Sequence, residues 1–241
     1  DGANSTIRAQ AGIKTVGWSY RQSALVASVE HESDHQGVAL ERFYPAGPFA
    51  VLPLKGRRSS LVWTETNARA RALTQVEPDL VLADLSARWD VQRGRIRTVG
   101  KVATFPLSFH IARRFISQRL VLIGDSAHQV HPLAGQGLNL GLRDIAALTE
   151  IVVETRRIGL DHGAWPALER FECWRRFDTI AAALAYDGLN RLFSNDRDGL
   201  RLLRDLGLGL VDRLPLAKRA FMHEAAGLAG AVPKLMVGEV I

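Results

Sequence analysis

Asp125, Ser126, His128 and His131 crowd into one short stretch, and Pro132, Gly135 and Gly137 follow directly. Carboxylate, hydroxyl and imidazole groups so close together suggest metal binding or nucleophilic catalysis. Asp125, His128 and His131 have ligand-like spacing, but the proline and glycines predict an irregular loop and no second ligand cluster appears, so no metal site is assigned. Ser126 lacks the closing glycine of a nucleophile elbow, and Asp125, Ser126 and His128 are too close in sequence to form an unstrained triad. The run from Gly135 to Gly141 is one residue too long for the dinucleotide fingerprint and does not sit on a strand end. The single cysteine, Cys173, falls on the apolar face of a predicted helix and is expected to be buried and inert.

What survives is a ligand cradle. Leu120-Val121-Leu122-Ile123 reads as a strand buried on both faces that delivers Asp125 at its carboxyl end, where α/β sheets bind ligands. There a carboxylate accepts hydrogen bonds from ligand hydroxyls. Pro132 stiffens the loop, and Gly135 and Gly137 let backbone approach a flat ring. A helix predicted from about Leu138 to Arg157 turns its positive end toward that ring, which suits an anionic or electron-accepting ligand. The same residues also fit a glycine-rich turn that Asp125 merely caps.

The surrounding elements follow from periodicity. Strands are predicted over Gln22–Glu32, Val38–Tyr44, Phe49–Leu54 and Ser59–Thr66, with turns at Gln36-Gly37, Pro45 to Pro48 and Lys55 to Arg58, giving an antiparallel meander. Residues 68–90 read as helix with Leu80, Leu82, Leu85 and Trp89 inward, and Lys101–Phe109 as strand. In the helix after the loop, Leu138, Leu142, Ile145, Leu148 and Val152 form the predicted inner stripe, with Arg143, Asp144, Glu150 and Glu154 outside. From Trp165 the chain reads helical. Leu168, Phe171, Trp174, Phe177, Ile180 and Leu184 form one face, and Leu200, Leu203, Leu206 and Leu210 another. Asp212–Leu228 carries Leu214, Ala217, Phe221 and Leu228 opposite Arg213, Lys218, Arg219 and His223.

Composition narrows the class. With 241 residues, 47% hydrophobic and 23% charged, the chain suits a globular core. One cysteine excludes an internal disulfide, and no apolar run approaches the ~20 residues of a spanning helix. Net charge is +6, but no block of five like charges and no basic patch laced with aromatics appears, so nucleic-acid binding is not expected.

Gly124-Asp125-Ser126-Ala127-His128, Pro132, Gly135-Gln136-Gly137, Asn139 and Asp144 resemble the second flavin motif of the aromatic-ring hydroxylases, flavoprotein monooxygenases with the para-hydroxybenzoate hydroxylase fold. Asp1-Gly2, with Ser5 and Arg8, resembles that family's Asp-Gly motif. Within the family the chain is most similar to the ubiquinone-biosynthesis hydroxylases. Glu41-Arg42-Phe43, Pro45 through Pro53, Ser60 to Thr64 and His131 to Gly137 carry that likeness, with Arg170, Arg176, Phe193-Ser194-Asn195 and Leu200-Arg201 in the tail.

The resemblance implies an α/β fold (an α+β fragment) with an antiparallel substrate sheet and a helical C-terminal tail, lacking the N-terminal βαβ unit. Residues 1–14 would be a remnant of the FAD-binding domain, 15–110 the substrate sheet, 111–160 the second flavin motif and 161–241 the helical region. It implies FAD as cofactor and NAD(P)H as co-substrate. Asp125 would bind the ribityl chain, and Gly124, Gly137 and Asn139 are further cofactor-binding positions that the resemblance implies. Pro132 and the backbone from Gly135 to Leu138, including Gln136, would border the isoalloxazine, and no side chain acts as nucleophile. Asp1, Gly2 and Arg8 would serve the pyrophosphate side and pyridine-nucleotide reduction. The implied reaction reduces the flavin with NAD(P)H, forms a flavin hydroperoxide with molecular oxygen, and hydroxylates the ring of a polyprenyl phenol. Cytoplasmic location with peripheral contact at the inner membrane, a quinone-biosynthesis complex and homo-oligomers are further implied partners and settings. The alternatives are a non-catalytic interaction module of such a complex and a flavin-dependent polyprenyl reductase. Because no G-x-G-x-x-G unit is present, the chain is expected to be a truncated form that holds FAD weakly and self-associates.

Overall fold

The computed structural model describes residues 1–89, 93–194, 214–225 and 230–241. These form two compact units. One holds Asp1–Trp18, Ser108–Leu189 and the described residues from 214 onward; the other holds Ser19–Leu107 and residues 190–194.

The second unit is the antiparallel meander. Strands β1 (Thr15–His31), β2 (Leu40–Tyr44), β3 (Gly47–Pro53) and β4 (Arg58–Thr66) pair in the order β2-β3-β4-β1, and β5 (Ile96–Val99) also pairs with β1. Alternation sets the register. Leu25 faces Trp63 across β1 and β4, and Phe49 faces Trp63 across β3 and β4, so apolar side chains stack on one face. Strand β1 starts seven residues before the predicted Gln22: Val16, Trp18 and Tyr20 alternate with Thr15, Gly17 and Ser19, a strand pattern that sequence reasoning passed over, and all but Tyr20 are exposed. The predicted helix over 68–90 is two helices, α2 (Asn67–Leu73), capped by the Thr66 hydroxyl, and α3 (Pro78–Ser86). Pro78 cannot continue a helix from Glu77, but suits the first turn of a new one. Leu85 and Trp89 join Leu25, Val29, Phe49, Leu61 and Trp63 in the core; Leu80, predicted inward, is 60% exposed.

The first unit begins with α1 (Thr6–Gln10). Strand β6 (Ala103–Ala112), continuous across the boundary between the units, delivers Ser108 to Ala112 into it, and β7 (Ile116–Ser117), β8 (Leu120–Val121), β9 (His128–Gln129), α4 (Gln136–Arg157), α5 (Trp165–Phe193) and α6 (Pro215–Ala225) follow. The strand expected to be buried on both faces is corrected: among the described residues, Leu120–Val121 pairs only with Ile116–Ser117, as an antiparallel hairpin, and both residues are half-buried. A parallel ladder needs a neighbouring strand, and this hairpin supplies the only partner described.

Helix α4 turns the other way from its apolar stripe. Leu138, Leu142 and Ile145 are exposed, while Arg143, Asp144 and Glu150, predicted outside, are buried with Leu140, Ala147 and Ile151. Helix α5 keeps Leu168 and Phe171 inside but leaves Phe177 and Leu184 exposed, burying Glu172, Arg175 and Thr179 instead. The charges on these inner faces are ion-paired: Asp144 with Arg175, Arg143 with Asp178, Glu150 with Lys234 and Glu172 with Arg114. Cys173 is exposed, against expectation, on the outward side of α5. Leu200, Leu203, Leu206, Leu210, Asn195, Arg201, Asp212, Arg213 and Leu228 lie outside the described residues. Among the described residues, no helix is long and apolar enough to cross a membrane.

Candidate functional site

The site grows from the end of β8. Leu122 is buried and its amide donates to the Phe115 carbonyl, which fixes the chain as it enters the turn. Gly124 then takes φ +54, the left-handed region, and opens a 3-10 turn over Gly124–Ser126. The Ser126 hydroxyl donates to the Ile123 carbonyl and the Ala127 amide to the Gly124 carbonyl, closing the turn. The Asp125 side chain is thereby left exposed, while its backbone carbonyl accepts from His110 Nε2 at 3.1 Å. Burial pushes the His110 pKa down, against the pull of that carbonyl. Ser126 therefore serves the turn rather than a triad.

Strand β9 pairs with the end of β6, Ile111 opposite His128, and then Val130, His131 and Leu133 turn inward. His131 is 1% exposed, and burial lowers its pKa to about 4, with Asp187 opposing. Pro132 leads into a second 3-10 turn, Leu133–Gly135. Gly135, at φ +65, caps α4 with no side chain, and the first turn of α4 contains no acidic residue. The helix starts at Gln136, two residues before the expected Leu138. Gln136 is buried and its Oε1 accepts from Asn139 Nδ2 at 3.3 Å. Leu138 is 73% exposed.

The Asp-Gly segment is joined to this turn. Asp1 Oδ2 accepts from the Ser5 hydroxyl and the Ile7 amide, and the Ser5 hydroxyl accepts from the Arg8 amide, so Asp1, Gly2 (φ +75) and Ser5 cap α1. Arg8 reaches out of that cap. Its guanidinium donates to the Ser126 carbonyl at 2.7 Å and to the Ala3 carbonyl at 2.8 Å. Two stretches more than a hundred residues apart are thus tied at one point. The structure brings Arg8, Gly124, Asp125 and Ser126 together; the Asp1 carboxylate is engaged with its own helix.

A network that sequence reasoning missed lies beneath. Asp144 is fully buried. Its Oδ2 accepts from the Gly124 amide at 3.0 Å and His128 Nε2 at 2.7 Å, and its Oδ1 from Arg175 Nε at 2.9 Å. Burial pushes the Asp144 carboxyl up, but the His128, Arg175 and Gly124 donors outweigh it and hold the group below its ordinary value. Arg175 donates onward to Asp178, which also pairs with Arg143. Asp144 matched the flavin motif by position, yet its charge argued for the outer face of α4. The available signal was Glu172, Arg175 and Asp178 at three-residue spacing inside an apolar stripe.

The donors and the open space fit a flavin. A Cβ built at Gly135 or Gly137 would meet nothing within 4 Å, so the face of the loop is open to a flat ring. Uncapped N–H groups at the start of a 22-residue helix provide positive potential there, and the exposed Asp125 carboxylate can accept from hydroxyls. Among the described residues no cluster of three metal-ligating side chains occurs.

Comparison with known proteins decides the family. Residues 1–157 match the family described as FAD binding domain. The chain belongs to the FAD binding domain family. A second family, described as squalene epoxidase, matches residues 94–234. The ubiquinone hydroxylase UbiL of Rhodospirillum rubrum is 44% identical over 241 residues, covering 99% of this chain and 56% of that protein. The 3-demethoxyubiquinol 3-hydroxylase of Escherichia coli is 37% identical over 228 residues, covering 95% of this chain and 58% of that protein. The chain thus spans a little over half the length of these curated relatives. Among solved structures, p-nitrophenol 4-monooxygenase from Pseudomonas putida superposes with a TM-score of 0.74 at 19% identity, covering 96% of this chain and 58% of its own. A Diels-Alderase of pyrroindomycin biosynthesis gives 0.71 at 22%, covering 97% and 50%. The mixed α/β fold with its antiparallel sheet is therefore the fold of the aromatic hydroxylases. That fold also hosts a Diels-Alderase, so chemistry must be argued from the site.

Proposed function

We propose that this chain carries the flavin-ring side of an FAD-dependent monooxygenase that hydroxylates the aromatic ring of a polyprenyl phenol in ubiquinone biosynthesis. The observation that carries this reading is the open, uncapped entry to α4 at Gly135, with the exposed carboxylate of Asp125 on the turn that packs against that helix. The names of the Rhodospirillum rubrum and Escherichia coli relatives support the quinone-precursor substrate.

When bound, FAD would supply oxygen transfer after reduction by NAD(P)H, the step no side chain here performs. Asp125 would accept from the ribityl hydroxyls. The amides at the start of α4 would favour negative charge on the ring, and Gly135 and Gly137 would let it lie against backbone. Pro132 and the buried Gln136 would fix the rim of the loop. Arg8 would hold the Asp1-Gly2 segment against Ser126 so that the pyrophosphate side is presented in register. The antiparallel sheet of residues 15–110 is assigned to the substrate. Exposed Leu216 and Met222, beside exposed Lys218 and Arg219 on α6, support peripheral contact with an anionic membrane, which flotation with vesicles containing anionic lipid would test.

The test is flavin retention by the full-length protein and its Asp125→Ala variant. The parent is expected to purify yellow, and the variant to lose affinity for FAD by about tenfold or more. Equal retention by both would refute the assignment of Asp125. Labelled molecular oxygen then separates the chemistries: label in the product supports ring hydroxylation, saturation of the prenyl chain would identify a reductase, and no turnover would identify an interaction module.

A further inference from the structure

We propose that Asp144, aimed by Arg175 of α5, is a positioning residue for the flavin site, so that a helix beyond the part matched to the FAD binding domain helps to set the geometry of that site. The inference rests on the flavin reading of the Gly124–Leu138 loop and extends it to residues that touch no ligand.

The argument begins with what Asp144 joins. Its two oxygens take one donor from the turn that carries Asp125, the Gly124 amide, one from the strand after it, His128 Nε2, and one from α5, Arg175 Nε. Asp144 itself stands on α4, whose first turn faces the ring in the flavin reading. A single carboxylate thus fixes the spacing between Asp125 and the start of α4, the two elements that must contact one ligand together. The angle is held as well. Gly141 lies one turn ahead of Asp144 on α4 and packs on Gly124, where its Cβ would come within 3.4 Å of the Gly124 Cα.

Burial makes the arrangement directional. Asp144, His128 and Arg175 side chains are at most 1% exposed, so water cannot replace a lost partner. His128 Nδ1 has no partner among the described residues, which leaves Nε2 carrying the proton given to Asp144. Every group facing the carboxylate is therefore a donor. An asparagine has two N–H donors of its own, and it must set at least one against Gly124, His128 or Arg175. Arg175 is in turn held by Asp178, which is shared with Arg143, so the guanidinium cannot swing away to solvent.

The match to the FAD binding domain ends at residue 157, while Arg175 and Asp178 lie on α5, inside the squalene epoxidase match over residues 94–234, and neither match assigns these two side chains a part in cofactor binding. A purely structural role is the competing account, and the test is built to separate the two. Glu172 provides the control: it is also buried on α5, binds Arg114 and the Phe115 amide, and makes no contact with Asp144 among the described hydrogen bonds.

The experiment uses the full-length protein loaded with FAD, comparing Asp144→Asn, Arg175→Met, Arg175→Lys and Glu172→Gln. Melting temperature, the FAD dissociation constant and the visible spectrum of the bound flavin are measured for each. The expected result is that Asp144→Asn and Arg175→Met weaken FAD binding by about tenfold and shift the flavin spectrum, and that Arg175→Lys restores part of the affinity. Glu172→Gln should lower the melting temperature while leaving affinity within about twofold. If Asp144→Asn does not fold, the Arg175→Met and Arg175→Lys pair decides alone. Parity between the Arg175 variants and Glu172→Gln in affinity, at comparable loss of stability, would overturn the proposal. A parent protein that takes up no FAD would instead overturn the flavin reading, and this inference with it.

Discussion

Gly141 packs on Gly124, so α4 and the turn that holds Asp125 meet at two residues without side chains. The two glycines are needed for different reasons, and substitution separates them. Gly124 has room for a Cβ, with its nearest neighbour 3.9 Å away, but its φ of +54 is left-handed, so Gly124→Ala should cost about 1–2 kcal/mol in backbone strain. Gly141 is helical, and its Cβ would sit at the edge of ordinary contact, 3.4 Å from Gly124. Gly141→Ala should therefore be near neutral, its helix propensity gain offsetting slight crowding, whereas Gly141→Leu overpacks and should cost about 2 kcal/mol. Thermal melts of the three variants would check the order; a Gly141→Ala less stable than Gly124→Ala would contradict it.

Arg8 ties α1 to the same turn through carbonyl oxygens rather than carboxylates. A methionine keeps most of the stem and loses both bonds, so Arg8→Met should cost about 1.5 kcal/mol in urea unfolding. Lysine has a single ammonium and cannot span the Ser126 and Ala3 carbonyls as the forked guanidinium does, so Arg8→Lys should recover less than half of the loss. Full recovery by lysine would show that charge, not reach, is what matters.

The meander was legible because strands alternate. Leu25, Ala27 and Val29 mark one face, Pro45 to Pro48 and Lys55 to Arg58 mark the turns, and the register follows. The loop from Ser126 to Gly137 was legible because Pro132 and the glycines at 135 and 137 break both strand and helix patterns, whereas the short pairing of His128-Gln129 with β6 inside it was not. The packing faces of α4 and α5 were not legible. Hydropathy places Leu138 and Leu142 inside and Asp144 and Arg143 outside, yet Asp144 is buried by three donors, two of which come from chain segments far away in sequence. Periodicity counts apolar residues and is blind to a charge whose partner arrives from another helix. Cys173 was misplaced for the same cause: once Arg175 and Glu172 turn inward, the cysteine between the α5 leucine face and the solvent is turned out.

That exposure has a consequence. With Cys173 at the surface, a thiol reagent such as dithionitrobenzoate should label the native protein at this position without denaturant. Peptide mapping of the labelled protein locates the site; labelling of Cys173 only after unfolding would put the helix the other way round.

Acid should act on the site through two groups in separate pH windows. His131 is buried beside Pro132, and its folded pKa of about 4 lies below the ordinary 6.5. Between those values the unfolded chain takes up a proton that the folded chain refuses, so stability falls as pH drops from 6.5 toward 4 and levels off below. The full effect is about 3 kcal/mol. Asp144 has the opposite chemistry but the same sign: its folded pKa is depressed, so its contribution is present above the unfolded carboxylate value and is lost as pH falls through the folded one. This second loss therefore begins about where the first ends. His131→Leu should flatten the slope above pH 4 and leave the steeper acid limb, whereas Asp144→Asn should remove part of that limb and leave the slope above it. Urea midpoints of the parent and both variants across pH 3 to 7 measure this, and a parent whose stability does not change between pH 6.5 and 4 would show that His131 is not held neutral by burial.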